Sequence, residues 1–316
     1  MGNSPSKQSS VEPRSRTTKQ PLVPPPSELK KSNQVIQGRT FHDISSTYFL
    51  PMDDEENDRL HEEHFLIKAG LGGNLLDEAL LSSKLQDGAM VLDIGCGPGT
   101  WLLDLATEYP SSTFHGMDIA PTFPTMIKPP NVTFKIGDAL DNLPYRSDTF
   151  DLVQIRLMVA AFRFDEWDTV YKNVMRVLKP GGYIQVMEPD IRLFAEHNDV
   201  AIQDYSTRVT RFLQKRQQDP DLIHKLGPLL KRNGYTIIME KVNESPLGWG
   251  SRLSEIIGDD YIRGMKAAAP IVANDFEMSM EQYEHTLDNI STRFVRAKTY
   301  IHSFLGLAQK PGTDDD

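Results

Sequence analysis

The sequence predicts an α/β fold in which a parallel sheet is covered by helices on both faces. Between residues 89 and 189, short apolar runs rich in strand-forming residues alternate with segments whose apolar residues recur at helical spacing. This alternation is typical of βαβ units, and right-handed crossovers leave few topologies for them. Ligands of such sheets bind at the carboxyl ends of the strands, so we look for functional residues directly after each strand.

Seven strands are predicted, with helices between them. One helix covers Thr100–Tyr109 and ends at Pro110, and another presents an apolar face from Trp167 to Leu178 before the stop signal at residues 179–182. The predicted strands are Ala89–Gly95, Ser112–Asp118, Asn131–Asp138, Phe150–Leu157, Gly182–Pro189, Thr236–Val242 and Thr299–Gln309.

After Asp190 the chain changes character. Ile191–Gln218 contains neither glycine nor proline and has apolar residues at roughly helical spacing, so we predict that residues 191–221 form a helical insert. Its position beside the carboxyl ends of the strands favours a lid over the site. Further helices are expected at Leu222–Asn233 and Ser279–Val295, with short helical pieces within residues 245–280.

The N-terminal segment, residues 1–42, is predicted to be a disordered basic tail. It is rich in serine and proline, and its seven basic and two acidic side chains give a net charge of +5. The opening MGNSPS matches a myristoylation signal on Gly2, which with the basic residues would give weak membrane association. The alternative is a plain tail that happens to begin with Met-Gly. Residues 311–316 form a short acidic tail.

Composition excludes several classes of protein. The net charge of −10 argues against a general nucleic-acid scaffold. The single cysteine, Cys96, allows no intrachain disulfide, and no apolar run approaches the ~18–20 residues of a membrane span. We therefore expect an intracellular, cytoplasmic protein, with nuclear or lipid-dependent membrane localisation left open, and we expect no metal site.

The stretch VLDIGCGPGTW, residues 91–101, has the pattern D-x-G-x-G-x-G. A dinucleotide-binding loop needs G-x-G-x-x-G, and the third glycine position holds Thr100 in one frame and Leu102 in the other. A phosphate-binding P-loop is excluded as well, because no G-K-[ST] follows. Glycines let a backbone pass close to a ligand because no Cβ intervenes.

The motifs together resemble the class I S-adenosylmethionine-dependent methyltransferases. VLDIGCGPGTW is similar to their first motif, and FHGMDIA, KIGDAL, LPYRSDTFDLV and VMRVLKPGGYIQVMEP are similar to the motifs of the next four strands. The resemblance implies a Rossmann-like, seven-stranded sheet and S-adenosylmethionine as cofactor. It also implies that Asp118 binds the ribose hydroxyls, that Asp138 binds the adenine amino group, and that the amide of Ala139 faces the ring. The remaining cofactor-binding residues it implies are Asp93, Gly95, Cys96, Gly97, Gly99 and Ile119.

A closer resemblance extends upstream. YFLPMDDEENDRLHEEH, residues 48–64, PPNVTFKIGD and VQIRLM are similar to a fungal group of these enzymes that includes regulators of secondary metabolism. It implies an N-terminal helical cap over residues 43–88, ahead of a methyltransferase domain at residues 89–310, and it places Tyr48 and Arg156 at the cofactor. The chain departs from this group where relatives carry a tryptophan after the adenine-binding acid, since residues 140–144 contain none.

No catalytic residue is identified, although Arg156 is a candidate. It could orient an acceptor, or it could pair with Asp118 or Glu188. The sulfonium methyl of S-adenosylmethionine is already a strong electrophile, so the protein mainly supplies alignment, and a general base is needed only where the acceptor must lose a proton. The sequence lacks an N-P-P-Y or D-P-P-Y motif and a second cysteine, which disfavours DNA bases as acceptors.

The predicted function is therefore methyl transfer to a small-molecule or protein acceptor. A cofactor-binding regulator that acts through partner proteins and transfers little is the alternative. An oxidoreductase on a similar sheet is disfavoured by the glycine spacing.

Overall fold

The computed structural model describes residues 1–2, 33–43 and 46–313. Most of the predicted tail, residues 3–32, and the last three residues of the acidic tail lie outside the described residues. The first elements that are described form an antiparallel hairpin of β1 (Gln34–Ile36) and β2 (Arg39–Phe41). This hairpin falls within the segment predicted to be disordered.

An eight-stranded sheet forms the centre of the molecule, against seven strands predicted. Its order is β5-β4-β3-β6-β7-β10-β8, and β9 also pairs with β10. The eighth strand is the two-residue β8, which pairs with Thr299 and Tyr300 of β10. The strands are β3 (Met90–Ile94), β4 (Thr113–Asp118), β5 (Val132–Ile136), β6 (Phe150–Arg156), β7 (Leu178–Pro189), β8 (Phe194–Ala195), β9 (Thr236–Pro246) and β10 (Thr299–Gln309).

Strands β3 to β7 pair in parallel, as predicted, whereas β10 runs antiparallel to both β7 and β9. Ile94 therefore lies level with Met117 of β4 and Ile155 of β6. This register brings the ends of β3, β4 and β6 to one edge of the sheet, where the glycine loop begins.

Helices cover both faces of the sheet. The apolar face predicted around Trp167 is buried: Trp167, Val170, Tyr171 and Val174 have no exposed surface. The helices are α1 (Asp54–Leu71), α2 (Glu78–Asp87), α3 (Thr100–Glu108), α4 (Glu166–Val177), α5 (Val200–Lys215), the 3-10 turn Leu222–His224, α6 (Leu226–Arg232), α7 (Arg252–Ala267), α8 (Ala269–Asp275), α9 (Met280–Ser291) and α10 (Phe294–Ala297).

The structure differs from the sequence-based predictions of helices and strands in three places. The region expected to hold only short helical pieces contains the 16-residue α7. The predicted insert helix begins nine residues late, at Val200, where Asp199 caps its first turn. Strand β7 begins at Leu178 rather than Gly182, since the stop signal after α4 leads directly into the strand.

The C-terminal helices form a second core away from the sheet. Buried residues of α5, including Tyr205 and Phe212, pack with residues of α7, α8 and α9. The end of α5 also holds the N-terminal segment, because Arg216 donates hydrogen bonds to the carbonyls of Thr47 and Ser46 at 3.0 and 3.2 Å. Over the part of the chain that the structure describes, no helix is both long and apolar enough to cross a membrane.

Candidate functional site

A cavity of about 220 Å³ lies at the carboxyl ends of the parallel strands. One side of the cavity is formed by the segments at the ends of β3, β4, β5 and β6. The opposite side is formed by residue 42 and by residues within 46–60, which we call the covering stretch. Ten of the eleven predicted cofactor residues line it: Tyr48, Asp93, Gly95, Cys96, Gly97, Asp118, Ile119, Asp138, Ala139 and Arg156.

The eleventh residue, Gly99, does not border the cavity. It caps α3 with a φ of +77°, and a Cβ added there would lie 2.5 Å from the Phe134 ring. Gly95 (φ +72°) is similarly blocked, by the Met158 sulfur at 2.2 Å. Gly97 (φ +52°) differs, because the nearest atom to its added Cβ is Leu60 Cδ1 at 3.8 Å, across the cavity. The three glycines therefore meet different constraints: Gly95 and Gly99 face protein side chains, and Gly97 faces space beside the cavity.

Asp118 ties the glycine loop to the end of β4. Its Oδ2 accepts a hydrogen bond from Gly97 N at 2.8 Å, and its Oδ1 accepts one from Ala120 N at 2.9 Å. Burial raises the pKa of Asp118, while these amide donors lower it. Each carboxylate oxygen has about two acceptor positions, so Asp118 retains capacity for ligand hydroxyls. Asp118 can therefore accept further hydrogen bonds from hydroxyl groups of a ligand in the cavity.

Asp138 follows β5 at the same edge of the sheet. Its Oδ1 accepts a hydrogen bond from Leu140 N at 3.0 Å. The carbonyl of the next residue, Ala139, accepts a hydrogen bond from Asn173 Nδ2 at 2.9 Å. The turn that presents Asp138 and Ala139 to the cavity is thereby held to helix α4.

Two ionisable side chains line this cavity side by side in the sheet: Asp93, which is buried, and Arg156, which is half-buried. Burial raises the pKa of Asp93 to about 7; Arg156 opposes this shift and Asp118 adds to it. Burial lowers the pKa of Arg156, whereas Asp93, Glu63 and Glu188 raise it. A buried carboxylate with a raised pKa gains most from a cationic ligand. Burial also raises the pKa of the Cys96 thiol, which keeps it protonated and supports a packing role.

Arg156 contacts a histidine rather than either of the carboxylates considered as its partners. Its two terminal nitrogens lie 3.4 Å from His64 Nδ1, and within the described ranges no carboxylate lies within 4.0 Å of its guanidinium. A guanidinium only donates, so Nδ1 accepts and the His64 proton sits on Nε2, which donates to Asp104 at 3.2 Å. Glu188 instead accepts from the amides of Met158 and Val159 at 3.0 and 2.7 Å.

His64 is therefore a functional candidate that the sequence did not identify. Burial, followed by Arg156, lowers its pKa to about 4, so the ring is neutral near pH 7. Lys68 and Asn74 also donate to Asp104, at 2.6 and 2.7 Å. His61, three residues earlier on α1, hydrogen-bonds Thr100 at the start of α3.

The covering stretch is held by an ion pair that joins Arg39 to Asp53 and by a hydrogen bond from Thr47 to the rest of the chain. Upstream, Arg39 donates to both carboxylate oxygens of Asp53, at 2.6 and 2.8 Å, and Asp53 also caps α1 through Glu56 N. Between these residues, the Thr47 hydroxyl donates to the carbonyl of Ala161. Tyr48 lies within this fastened stretch.

A second cavity, of about 240 Å³, adjoins the first. Tyr48, Leu60 and Leu157 line both cavities. The walls of the second cavity are mainly apolar side chains of α1, α7 and the ends of β7 and β10. Of the predicted insert, only Ile191 borders it, so the lid function of residues 191–221 stays a prediction.

The sequence is similar to known methyltransferases and to regulators of secondary metabolism. Residues 91–182 match the model of a family described as a methyltransferase domain. The secondary metabolism regulator LAE1 of Cochliobolus heterostrophus is 27% identical over 70% of this chain and 73% of that protein. N-methyltransferase gliN of Aspergillus fumigatus is 27% identical over 80% of this chain and 92% of that protein. Protein-methionine methyltransferase laeA of Emericella nidulans is 30% identical over 48% of this chain and only 40% of that protein.

The sheet, the glycine loop and the family match define a class I S-adenosylmethionine-dependent methyltransferase, and S-adenosylmethionine is its cofactor. Within that class, the chain is a relative of the fungal methyltransferases that include regulators of secondary metabolism.

Proposed function

We propose that the first cavity holds S-adenosylmethionine through the residues at the ends of β3, β4 and β5. Asp118 binds the ribose hydroxyls with Ile119 beside it, and Asp138 binds the adenine amino group while the Ala139 amide faces the ring. Support comes from the remaining acceptor capacity of Asp118 and from the position of Asp138 on the same cavity.

The methionine part lies against Gly95, Cys96 and Gly97 in this proposal. Asp93 pairs with the ammonium group, because a cation there stabilises the charged form of a carboxylate whose pKa burial has raised. Tyr48 covers the cofactor. Gly99 acts only indirectly, by allowing the loop to turn into α3.

The bound cofactor supplies an electrophilic methyl group that needs little chemical activation. The residues of the chain supply alignment and exclude water. Arg156 carries its positive charge beside the cavity, and neutral His64 orients it while holding its own proton on Nε2. Because a guanidinium only donates, Arg156 can hydrogen-bond a molecule in the first cavity but does not take a proton from it.

We further propose that the acceptor is a small molecule that reaches the cofactor from the second cavity. The observation that carries this proposal is the shared wall of Tyr48, Leu60 and Leu157, which places an apolar cavity directly beside the cofactor cavity. Similarity to the N-methyltransferase gliN over most of both chains supports methyl transfer as the activity.

Two measurements test the function. Calorimetry should detect binding of S-adenosylmethionine and none of NAD; NAD binding without S-adenosylmethionine binding would overturn the proposal. Incubation of cell extract with methyl-labelled cofactor should then label small molecules. Label confined to protein would indicate a protein acceptor, and cofactor binding with no label would favour the regulatory alternative.

The N-terminus carries a separate proposal of myristoylation at Gly2. Gly2 is exposed, and no described atom lies within 4 Å of a Cβ placed there. Mass spectrometry of the protein purified from eukaryotic cells should show the acyl mass, and Gly2→Ala should remove it. An unmodified N-terminus would refute this proposal.

A further inference from the structure

The second cavity has an acidic cluster of charged side chains on one wall. Arg59 lies at its centre and donates to Glu56 at 2.7 Å, to Asp260 at 3.3 Å and to Glu63 at 3.4 Å. Arg59, Glu63 and Asp260 line the cavity, and Glu56 is buried behind them. A single guanidinium therefore donates hydrogen bonds to three carboxylates.

The outer side of this acidic cluster does not restore neutrality. Arg263, which is half-exposed, donates to Asp260 at 3.2 Å and to Glu62 at 2.6 Å. Glu62 in turn offsets Arg263. The side chains that line or back the cavity, Glu56, Glu63 and Asp260 together with Arg59, have a formal net charge of −2. Another acid of the same cavity, Asp190, is already paired with Arg192 at 2.7 Å.

Glu63 is the carboxylate with the most capacity left for a ligand. Its contact with Arg59 is the longest of the acidic cluster, and among the described residues no other cation lies within 4.0 Å of it. Glu63 lines the second cavity together with Tyr48, which also borders the first cavity. The negative charge therefore lies on a wall of the cavity that adjoins the proposed cofactor site.

An excess of buried negative charge is costly unless a proton or a cation compensates it. The acidic cluster shows this cost, since burial, followed by Glu63, raises the pKa of Asp260 to about 7. A cationic group in the cavity would compensate the same charge, while the rest of the ligand contacts apolar walls.

We infer that the second cavity selects an apolar methyl acceptor that carries a cationic nitrogen, and that Glu63 and Asp260 receive this group. The inference rests on the proposed function, because it specifies the acceptor of the same site. Anionic molecules of the same shape are excluded by the net charge of the wall. The methyl-accepting atom itself can be this nitrogen or another atom of the molecule.

Three probes of matched shape test the inference: 1-naphthylmethylamine, 1-naphthylmethanol and 1-naphthoate. Calorimetry would be done on the full chain saturated with S-adenosylhomocysteine, which fills the cofactor cavity and prevents turnover. We expect the amine to bind about tenfold or more tightly than the alcohol, because only the amine adds a positive charge to its hydrogen bonds with the carboxylates. The carboxylate should bind least.

Glu63→Gln should reduce the preference for the amine to less than about threefold. Glu62→Gln is the matched control, because it removes the same charge from the same helix on the exposed side, and it should leave the preference unchanged.

Equal binding of amine and alcohol by the wild-type protein, or no binding of any probe, would overturn the inference without any variant. A preference that survives Glu63→Gln would overturn the role of Glu63. Failure of S-adenosylhomocysteine to bind would instead count against the proposed function, and the probes would then be compared on the free protein.

Discussion

Replacing Gly97 and Gly99 separately by alanine tests whether the glycine loop contains positions with different functions. Both residues have positive φ, +52° and +77°, and a side chain in this region costs ~1–2 kcal/mol. Gly97→Ala should therefore lower the free energy of unfolding by about that amount, because its Cβ finds no atom closer than Leu60 at 3.8 Å.

Gly99→Ala carries an additional cost of overpacking. Its Cβ would lie 2.5 Å from the Phe134 ring, which is stacked on Phe123 with centroids 5.0 Å apart. Overpacking in a filled core costs ~1–3 kcal/mol, so the total loss of unfolding free energy should be ~2–5 kcal/mol. Urea denaturation of both variants measures the difference.

Cofactor affinity should follow the opposite order. Gly97 lines the cavity and Gly99 does not, so Gly97→Ala should weaken S-adenosylmethionine binding by about tenfold or more, equivalent to ~1.4 kcal/mol. Folded Gly99→Ala should stay within about threefold of wild type. The reasoning is refuted if Gly97→Ala is the less stable variant, or if Gly99→Ala loses more affinity.

Three other predictions concern Asp118, the ion pair of Arg39 with Asp53, and the pH dependence of stability. Asp118→Ala should abolish measurable S-adenosylmethionine binding in calorimetry, because it removes the ribose acceptors and the bond to Gly97 N; unchanged affinity would contradict the assignment. Arg39→Met should cost about 1 kcal/mol of unfolding free energy for a partly exposed ion pair, and Asp53→Ala should cost about 1 kcal/mol more because it also removes the cap of α1; equal losses would argue against the cap. Burial raises the pKa of Glu188 from 4.5 to about 8, so its contribution to stability is complete below the lower value and is lost as pH rises through the upper one. In urea denaturation, the stability of wild type relative to Glu188→Gln should fall between pH 6.5 and 8 by up to ~1.4 kcal/mol per pH unit, and a pH-independent difference would refute the assignment.

Local sequence patterns were sufficient to predict most strands of the sheet. Each of the seven predicted strands lies within a few residues of an observed strand, because each is a short run of strand-forming residues that is either apolar or alternates apolar with polar residues. The positions of Asp118 and Asp138 at the ends of β4 and β5 could also be predicted, since the parallel arrangement brings the ends of these strands to one edge of the sheet. The short β8 was missed because two residues carry no periodicity.

The hairpin and the covering segment needed tertiary structure. Residues 34–41 lie within the segment whose composition predicted disorder, and the structure pairs Arg39 of this hairpin with Asp53, fourteen residues away. The role of Gly99 is similar, since its restriction comes from Phe134 on another strand. A glycine motif alone does not distinguish a position that faces a ligand from one that faces a ring.

The sequence thus determined the fold class from short-range pattern and the cofactor class from the resemblance of its motifs to a known family, and ten of the residues it proposed line the first cavity. Only the tertiary structure joined His64 to Arg156, ninety-two residues apart, and Arg59 to Asp260, two hundred and one residues apart. Such pairs leave no trace in local periodicity, because their partners come from separate helices and strands. The acceptor cavity and its acidic wall consist of contacts of this kind, and for that reason the sequence identified the methyl donor while the structure was needed to propose the acceptor.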